Sequence, residues 1–535
     1  MDELYLRTED IDDSEILELF VESKQDNEII NTLKSRTPTI LVGSRGVGKS
    51  FLMKVATTQL KNSFSKERVL PVYISFIKSS LIAVNQKGAF LYWMLAKISS
   101  SIVKALKREG IIVESNPSID ILSGGRFEER QITAIDKIRE KFENSWRNNE
   151  PIDVKQIPTV DDLKNAIEDI CVDNNIKRIV LFIDEAAHIF IRKQQDQFFT
   201  LFRDLRCSKI SCKASVYPGV TAYGNNFQYS QDATFIYLNR FISDETYVES
   251  MKSIVTNQIS ESGYLKELSR KGQVFTDLTV AASGNPRFLL NNIRSLPKFG
   301  TNEVNQCIKE FYRVTILSDH TALSSKYPNL KELIDWGRSF LDDILLPEMQ
   351  KRNAEALSSG NPTTCYFWVH KDAPESVRRA ISLLEYSGLV QEVTKGLKAT
   401  RREIGTRYMV NVGCLISLEA NPLAVSHNII NNFDIKKFIE FGANSLYFAG
   451  IKDQIQTLSD NDMSQSLAIQ VDKNLDVLDL SDRMKIKLHE IGLSTVRDVL
   501  NATEAKLQEA YYVGVKRSRM MKNVALTSVY EYLIG

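Results

Sequence analysis

The chain has 535 residues, a formal net charge of +1, 43% apolar and 25% charged residues. That length exceeds one hydrophobic core, so several domains are expected, and the near-zero charge excludes a global basic field: any nucleic-acid surface must be a local patch. Six scattered cysteines complete neither a disulfide framework nor a zinc set and read as reduced thiols, while an acidic start with no apolar leader, and no run of roughly eighteen apolar residues, predict a cytoplasmic protein without a membrane span.

Residues 1–37 are acidic and then helical in pattern, with apolar faces at Ile16, Leu17, Leu19 and Phe20 and at Ile29, Ile30 and Leu33. Thr39-Ile40-Leu41-Val42 reads as a short buried strand. Gly43-Ser44-Arg45-Gly46-Val47-Gly48-Lys49-Ser50 follows, and a helix begins at Phe51. This fits G-x-x-x-x-G-K-[ST] in the strand–loop–helix context the motif requires. Such a loop curls around phosphate oxygens, and the helix behind it adds its positive end. Residues Gly43 to Phe51 are therefore the expected ATP cradle. Lys49 would reach the β- and γ-phosphates, and the Ser50 hydroxyl would hold Mg²⁺.

A second strand is expected at 69–76 and an apolar helix at 89–107. The stretch 109–160 is polar and mixed, an insertion or a helical connection. Within it, Leu122-Ser123-Gly124-Gly125 spells the signature of ABC ATPases. Arg126 follows it and the next acidic strand lies far downstream, so it reads as a chance loop. Arg178-Ile179-Val180-Leu181-Phe182-Ile183-Asp184-Glu185 is a buried central strand with two carboxylates at its tip, the edge where ligands of open α/β sheets sit. Asp184 would enter the Mg²⁺ shell, and Glu185 would orient and deprotonate the attacking water. A helix at 189–206 and strands at 212–217 and 234–238 follow. The alternation predicts a parallel sheet sandwiched by helices. A helical segment then leads to Gly284-Asn285-Pro286-Arg287.

These motifs together resemble AAA+ ATPases over about residues 10–300, and are most similar to the ORC/Cdc6 and STAND-like branches. The resemblance implies ATP and Mg²⁺ as cofactors and a homo-oligomer in the ATP state. It implies that Arg287, at the sensor-2 position, joins Lys49 and Glu185 in catalysis. It asks for a polar sensor 1 near the tip of the fourth strand, where Tyr217 and Thr221 are the alternatives. Arg203 and Arg206 are available as arginine fingers and read more readily as surface residues.

In the C-terminal half, Leu333 to Met349 is amphipathic, and a loop interrupts at 358–362. A strand-like run at 365–369 precedes a helix from Pro374 to Tyr386, closed by Ser387-Gly388. Strands at 389–393 and 407–410 flank a basic tip. This order resembles a winged helix, whose helix would face DNA through Arg378 and Arg379 and whose wing would meet phosphates through Lys398 and Arg401. Residues 474–533 carry two helix pairs hinged at apolar-Gly turns, a helix-hairpin-helix pattern. They resemble the C-terminal domain of the bacterial RNA polymerase α subunit at Leu480, Arg483, Ile491, Gly492, Val499, Leu500, Leu507, Gly514 and Lys516. That resemblance implies DNA contact through Arg483, Gly514 and Lys516, with Arg517 beside them. Tyr512 and Ile486 stand where that family has polar residues.

The expected fold class is an α/β P-loop NTPase core with a parallel sheet and helical lid, followed by a winged helix and an all-α helix-hairpin-helix domain. The expected boundaries are 1–37 for the N-terminal segment, 38–242 for the core and 243–329 for the lid and linker. They continue as 330–420 for the winged helix, 421–473 for a helical linker and 474–535 for the last domain. The expected function is an ATPase that couples its nucleotide state to double-stranded DNA. The alternative is a STAND-like signalling ATPase, in antiviral defence for example, sensing a partner effector protein through its C-terminal modules.

Overall fold

The computed structural model describes residues 4–82, 86–111, 116–128, 131–146, 150–186, 191–259, 262–399, 403–448, 450–451 and 470–534. Arg401, expected at the wing tip, lies outside them. Five strands form the core sheet in the order β2-β3-β4-β1-β5, every neighbouring pair parallel. They are β1 (Thr39–Val42), β2 (Val69–Ser75), β3 (Arg178–Asp184), β4 (Ile210–Val216) and β5 (Thr234–Tyr237). β1, β3 and β4 are interior strands, which explains why Ile40, Leu41, Ile179, Leu181, Phe182 and Ala214 are all fully buried. Parallel register places Ser75 opposite Asp184 and Val42 opposite Val216, so the chain leaves β1, β3 and β4 at one edge of the sheet.

The P-loop helix, Lys49–Glu67, packs against β2 and the N-terminal helix Lys24–Lys34. The helix Ala89–Arg108 has the length and composition of a membrane span. Here it lies against β2, with Trp93, Met94, Ile98 and Ile102 fully buried in the main core. In the insertion, Leu122 and Ser123 end the helix Pro117–Ser123, and Gly124 caps it in the left-handed conformation. The tetrapeptide is thus a helix C-terminus, not the helix start an ABC signature requires.

Packing runs across the expected borders. Tyr247, Leu278, Leu289 and Ile293 share one continuous core with Phe340, Phe367, Val377, Leu384 and Val410. Lid and second domain are therefore one packed body, as apolar faces of adjacent helices bury each other across the expected border. The segment 421–473 is also not a helical linker throughout. Pro422–Asn431 is a helix, but β9 (Ile439–Phe441) pairs in parallel with β6 (Tyr366–His370). The second sheet has the order β7-β8-β6-β9, with β7 (Val390–Lys398) and β8 (Ile404–Val410) as an antiparallel hairpin after the helix Glu375–Tyr386. Val471 is buried in the core of the last domain, and Asp472 pairs with Arg497 at 2.5 Å, so that domain starts before 474. Its core gathers Leu475, Leu488, Val499, Leu500, Leu507 and Met521, and Leu81 of the ATPase core joins it.

His320, on the helix Ile316–Lys326, is fully buried with Nδ1 2.8 Å from Ser387 Oγ. Burial pushes its imidazole down to about 4. The unfolded chain takes up this proton near pH 6.5 and the folded chain only near pH 4. Stability should therefore fall as pH drops through that window, by up to about 3 kcal/mol from this residue. Denaturant titrations from about pH 7 to 4 should show the loss. His320→Asn, which keeps a polar partner for Ser387 and does not titrate, should make the slope shallower.

Candidate functional site

The loop between β1 and the P-loop helix closes as the sequence requires. Gly46 and Gly48 adopt φ of 85° and 101°, the left-handed region where a Cβ is costly. Gly48 caps the helix, so the helix N-terminus opens into the cleft. Residues Arg45 to Phe51 line this cleft with Glu185, Tyr217, Arg240 and Arg287. Gly43 and Ser44 sit behind it, next to Pro218 and Glu385. The cleft encloses about 1180 Å³ of non-protein space, its open mouth included.

Lys49 Nζ donates to the carbonyls of Gly43 at 2.7 Å and Ser44 at 3.0 Å, and lies 4.1 Å from the Tyr217 ring centre. Burial pushes its ammonium down to about 8, against the opposing pull of Glu185 and Asp184. Asp184 is buried at the tip of β3. It accepts from Tyr73 Oη at 2.5 Å and from Ser215 Oγ, and Ser50 also donates to it. Burial and the neighbouring Glu185 raise its pKa, while those three donors oppose the rise. The Ser50 hydroxyl and Asp184 carboxylate are hard oxygen donors that fit a Mg²⁺ shared with substrate phosphates. The described residues hold no group of three metal-ligating side chains, so this is not an all-protein cage.

Glu185 follows β3 with φ 58°, and its N–H donates to Ser215 Oγ at 3.0 Å. Both its carboxylate oxygens face the Tyr217 hydroxyl, at 2.8 and 2.9 Å. Of the two alternatives for sensor 1, Tyr217 lines the cleft. The Thr221 hydroxyl is turned to the Tyr217 carbonyl at 2.7 Å.

Arg287 sits at the start of the lid helix Pro286–Ser295. Its N–H meets the Gly46 carbonyl at 3.4 Å and its Nε donates to Leu6 O at 3.1 Å. Burial, then the field of Arg45, lowers its pKa, so it sits in the same electrostatic environment as the loop. Asn285 Nδ2 donates to the Arg45 carbonyl at 2.8 Å. The structure thus brings Lys49, Ser50, Asp184, Glu185 and Arg287 together. Arg203 and Arg206 remain on their own surface, bonded to the carbonyls of Asn226 and Gln231.

Several site residues have no motif to announce them. Arg240 donates to Val47 O at 2.6 Å and pairs with Asp26 at 3.0 Å. Glu9, from the N-terminal segment, lines the cleft. Its pKa is raised by burial and by Asp184 and Glu185. Lys326 is buried and pushed down to about 7 by burial and by Arg45. Tyr386 accepts from the Arg45 N–H at 3.2 Å through its carbonyl.

The nucleic-acid candidates are dispersed. Arg378 is exposed, whereas Arg379 is partly buried on the same helix, its pKa lowered by burial and by Arg192. Most of that helix is covered, with Val377, Ala380, Leu383 and Leu384 buried. Lys398 is exposed at the end of β7. Arg483, Gly514, Lys516 and Arg517 are all exposed on the last domain, as are Tyr511 and Tyr512, and Lys487 donates to the Tyr511 carbonyl.

A Cβ at Gly46 would stand 2.7 Å from Asn285 Oδ1 and 2.9 Å from Arg287 Cβ, at a φ that alanine resists. Gly46→Ala should therefore spread lid and loop and weaken ATP binding by about tenfold or more, a cost of about 1–2 kcal/mol. Fluorescent-nucleotide titration would measure it, with the melting temperature as a control for folding.

The ORC-CDC6-like family model matches residues 5–336. No curated protein matches the chain by sequence. Among solved structures it is similar to the ORC1 protein of Aeropyrum pernix in complex with DNA, at 13% identity, covering 78% of this chain and 94% of that one with a TM-score of 0.30. It is also similar to a RuvB protein of Thermotoga maritima, at 12% identity, 72% and 90% coverage and a TM-score of 0.27. With a P-loop, an acidic β3 tip and a lid arginine in one cleft, and a family model spanning more than half its length, the chain belongs to the ORC-CDC6-like family of AAA+ proteins.

Proposed function

We propose that this protein binds and hydrolyses ATP and couples its nucleotide state to double-stranded DNA. The observation that carries the reading is the convergence of Lys49, Ser50, Glu185 and Arg287 on one cleft from three separate parts of the chain, with Asp184 buried beside it and bonded to Ser50. The loop amides and Lys49 bind the phosphates. Ser50 and Asp184 would hold Mg²⁺, which when bound would offset charge on the β- and γ-phosphates. Glu185 accepts the proton of the attacking water. Arg287 draws the lid toward the γ-phosphate.

The DNA part rests on the last domain and on the helix-then-hairpin of the second domain, read as a winged helix. Gly514 leaves the start of the helix Val515–Ile534 open, with exposed Lys516 and Arg517 beside it. Arg378, Lys398 and Arg401 supply a second set of phosphate contacts. ATP would favour a homo-oligomer. One observation favours a second reading, a STAND-like switch sensing a partner effector protein. The second domain rests directly on the P-loop through Tyr386, as a closed signalling state would require.

Glu185→Gln should lower ATP turnover by about 10²- to 10⁴-fold and leave nucleotide binding near wild type. Turnover retained in this variant would sink the role of Glu185 as proton acceptor, and no turnover in the wild type would sink the ATPase assignment. Lys516→Ala with Arg517→Ala should weaken duplex binding similarly for unrelated sequences and lower the salt slope by about one for each phosphate no longer neutralised. Unchanged binding across a salt series would shift the reading to the partner-sensing switch.

A further inference from the structure

Beyond the motif residues, the cleft contains a chain of touching side chains that runs from the water-activating acid to the second domain. A single hydroxyl has one proton to donate. Tyr217 Oη stands 2.8 and 2.9 Å from the two Glu185 oxygens, so this proton is centred on the carboxylate and draws it toward the β4 tip. The backbone of Glu185 is fixed as well, by its left-handed φ of 58° and its bond to Ser215.

Tyr217 is itself held from two sides. The Lys49 ammonium lies 4.1 Å from its ring centre. The Tyr386 ring meets it edge-on, at 4.8 Å and 71°. Tyr386 is the last residue of the helix Glu375–Tyr386 and is only 2% exposed. The same helix touches the site twice more. The Tyr386 carbonyl takes the Arg45 N–H at 3.2 Å. Gly219, just past Tyr217, fits so closely that a Cβ there would come 2.5 Å from Ser382 Cβ. Nucleotide phosphate would call Lys49 away from the Tyr217 face, which leaves Tyr217 held by the Tyr386 ring and by the apolar cluster both share with Tyr327, Leu333 and Leu383.

We propose that Tyr217 is a positioning residue that keeps the Glu185 carboxylate away from the attacking water, and that Tyr386 locks Tyr217 in this place, so hydrolysis is restrained until the second domain lifts from the P-loop. The proposal rests on the hydrolytic role of Glu185 given above. It makes the second domain a brake on chemistry and not on nucleotide binding.

The test is steady-state ATP turnover by the full-length protein without DNA, with nucleotide affinity measured in parallel. Tyr386→Ala should raise kcat on the order of tenfold, the scale of one hydrogen bond to a charged group, with KM and nucleotide affinity within about twofold of wild type. Tyr386→Phe keeps the ring edge and should raise kcat far less than Tyr386→Ala. Tyr217→Phe removes only the hydroxyl and should also raise kcat. A fall in kcat for Tyr217→Phe, or an unchanged or lower kcat for Tyr386→Ala with nucleotide affinity intact, would overturn the brake. Turnover that survives Glu185→Gln would instead overturn the hydrolytic role of Glu185 and leave the linked side chains without that function.

Discussion

A charged lysine held beneath a loop of backbone amides is the constraint on which the rest of this structure depends. Lys49 is 6% exposed, and around it stand Arg45 and Arg287 on one side and Asp184, Glu185 and Glu9 on the other. Charges in such a place are costly unless each finds a partner. The neighbouring residues meet that demand: carbonyls for Lys49, hydroxyls for Asp184, the tyrosine hydroxyl for Glu185. A triphosphate with its cation would replace many of these partners at once. Such an exchange would let a ligand act on distant parts of the molecule, since each displaced partner belongs to a different element.

The elements so connected are few and rigid. The N-terminal segment arrives through Leu6 and Glu9, the lid through Asn285 and Arg287, the β5 end through Arg240, and the second domain through Tyr386. The lid and second domain share a single core, so they cannot respond independently. A change of the lid angle carries the helix Glu375–Tyr386 with it. This helix packs most of its surface inward and leaves Arg378 exposed. Its duty in this arrangement is intramolecular, and any groove contact by its partly buried neighbour Arg379 requires the helix to move.

Much of the site was legible in the sequence because its motifs are contiguous. Gly43 to Ser50 and Ile179 to Glu185 each specify strand, turn and chemistry within eight or so residues, so local sterics alone place the groups. Arg287 was legible because a Gly-Asn-Pro start marks a helix beginning, and Asn285 does cap it. Arg240, Glu9, Lys326 and Tyr386 were not. Each is an isolated side chain in an ordinary stretch, and only chain folding brings it to the loop. The packing across the expected borders at 329 and 420 was not legible for a related reason. Composition marks where a chain turns, not where a core ends, and the short β9 was too brief to announce itself beside a helix.

The sequence by itself determined the parallel sheet and the contiguous loop and strand-tip motifs at its edge, since these follow from short-range periodicity and from residues adjacent in the chain. Tertiary structure alone decided which hydroxyl faces Glu185, which arginine pins the loop, and that the second domain sits on the phosphate site. Those are contacts between residues up to hundreds of positions apart, such as Arg45 with Tyr386 and Arg287 with Leu6. Burial and shape complementarity over whole domains select them, and no local pattern encodes that sum.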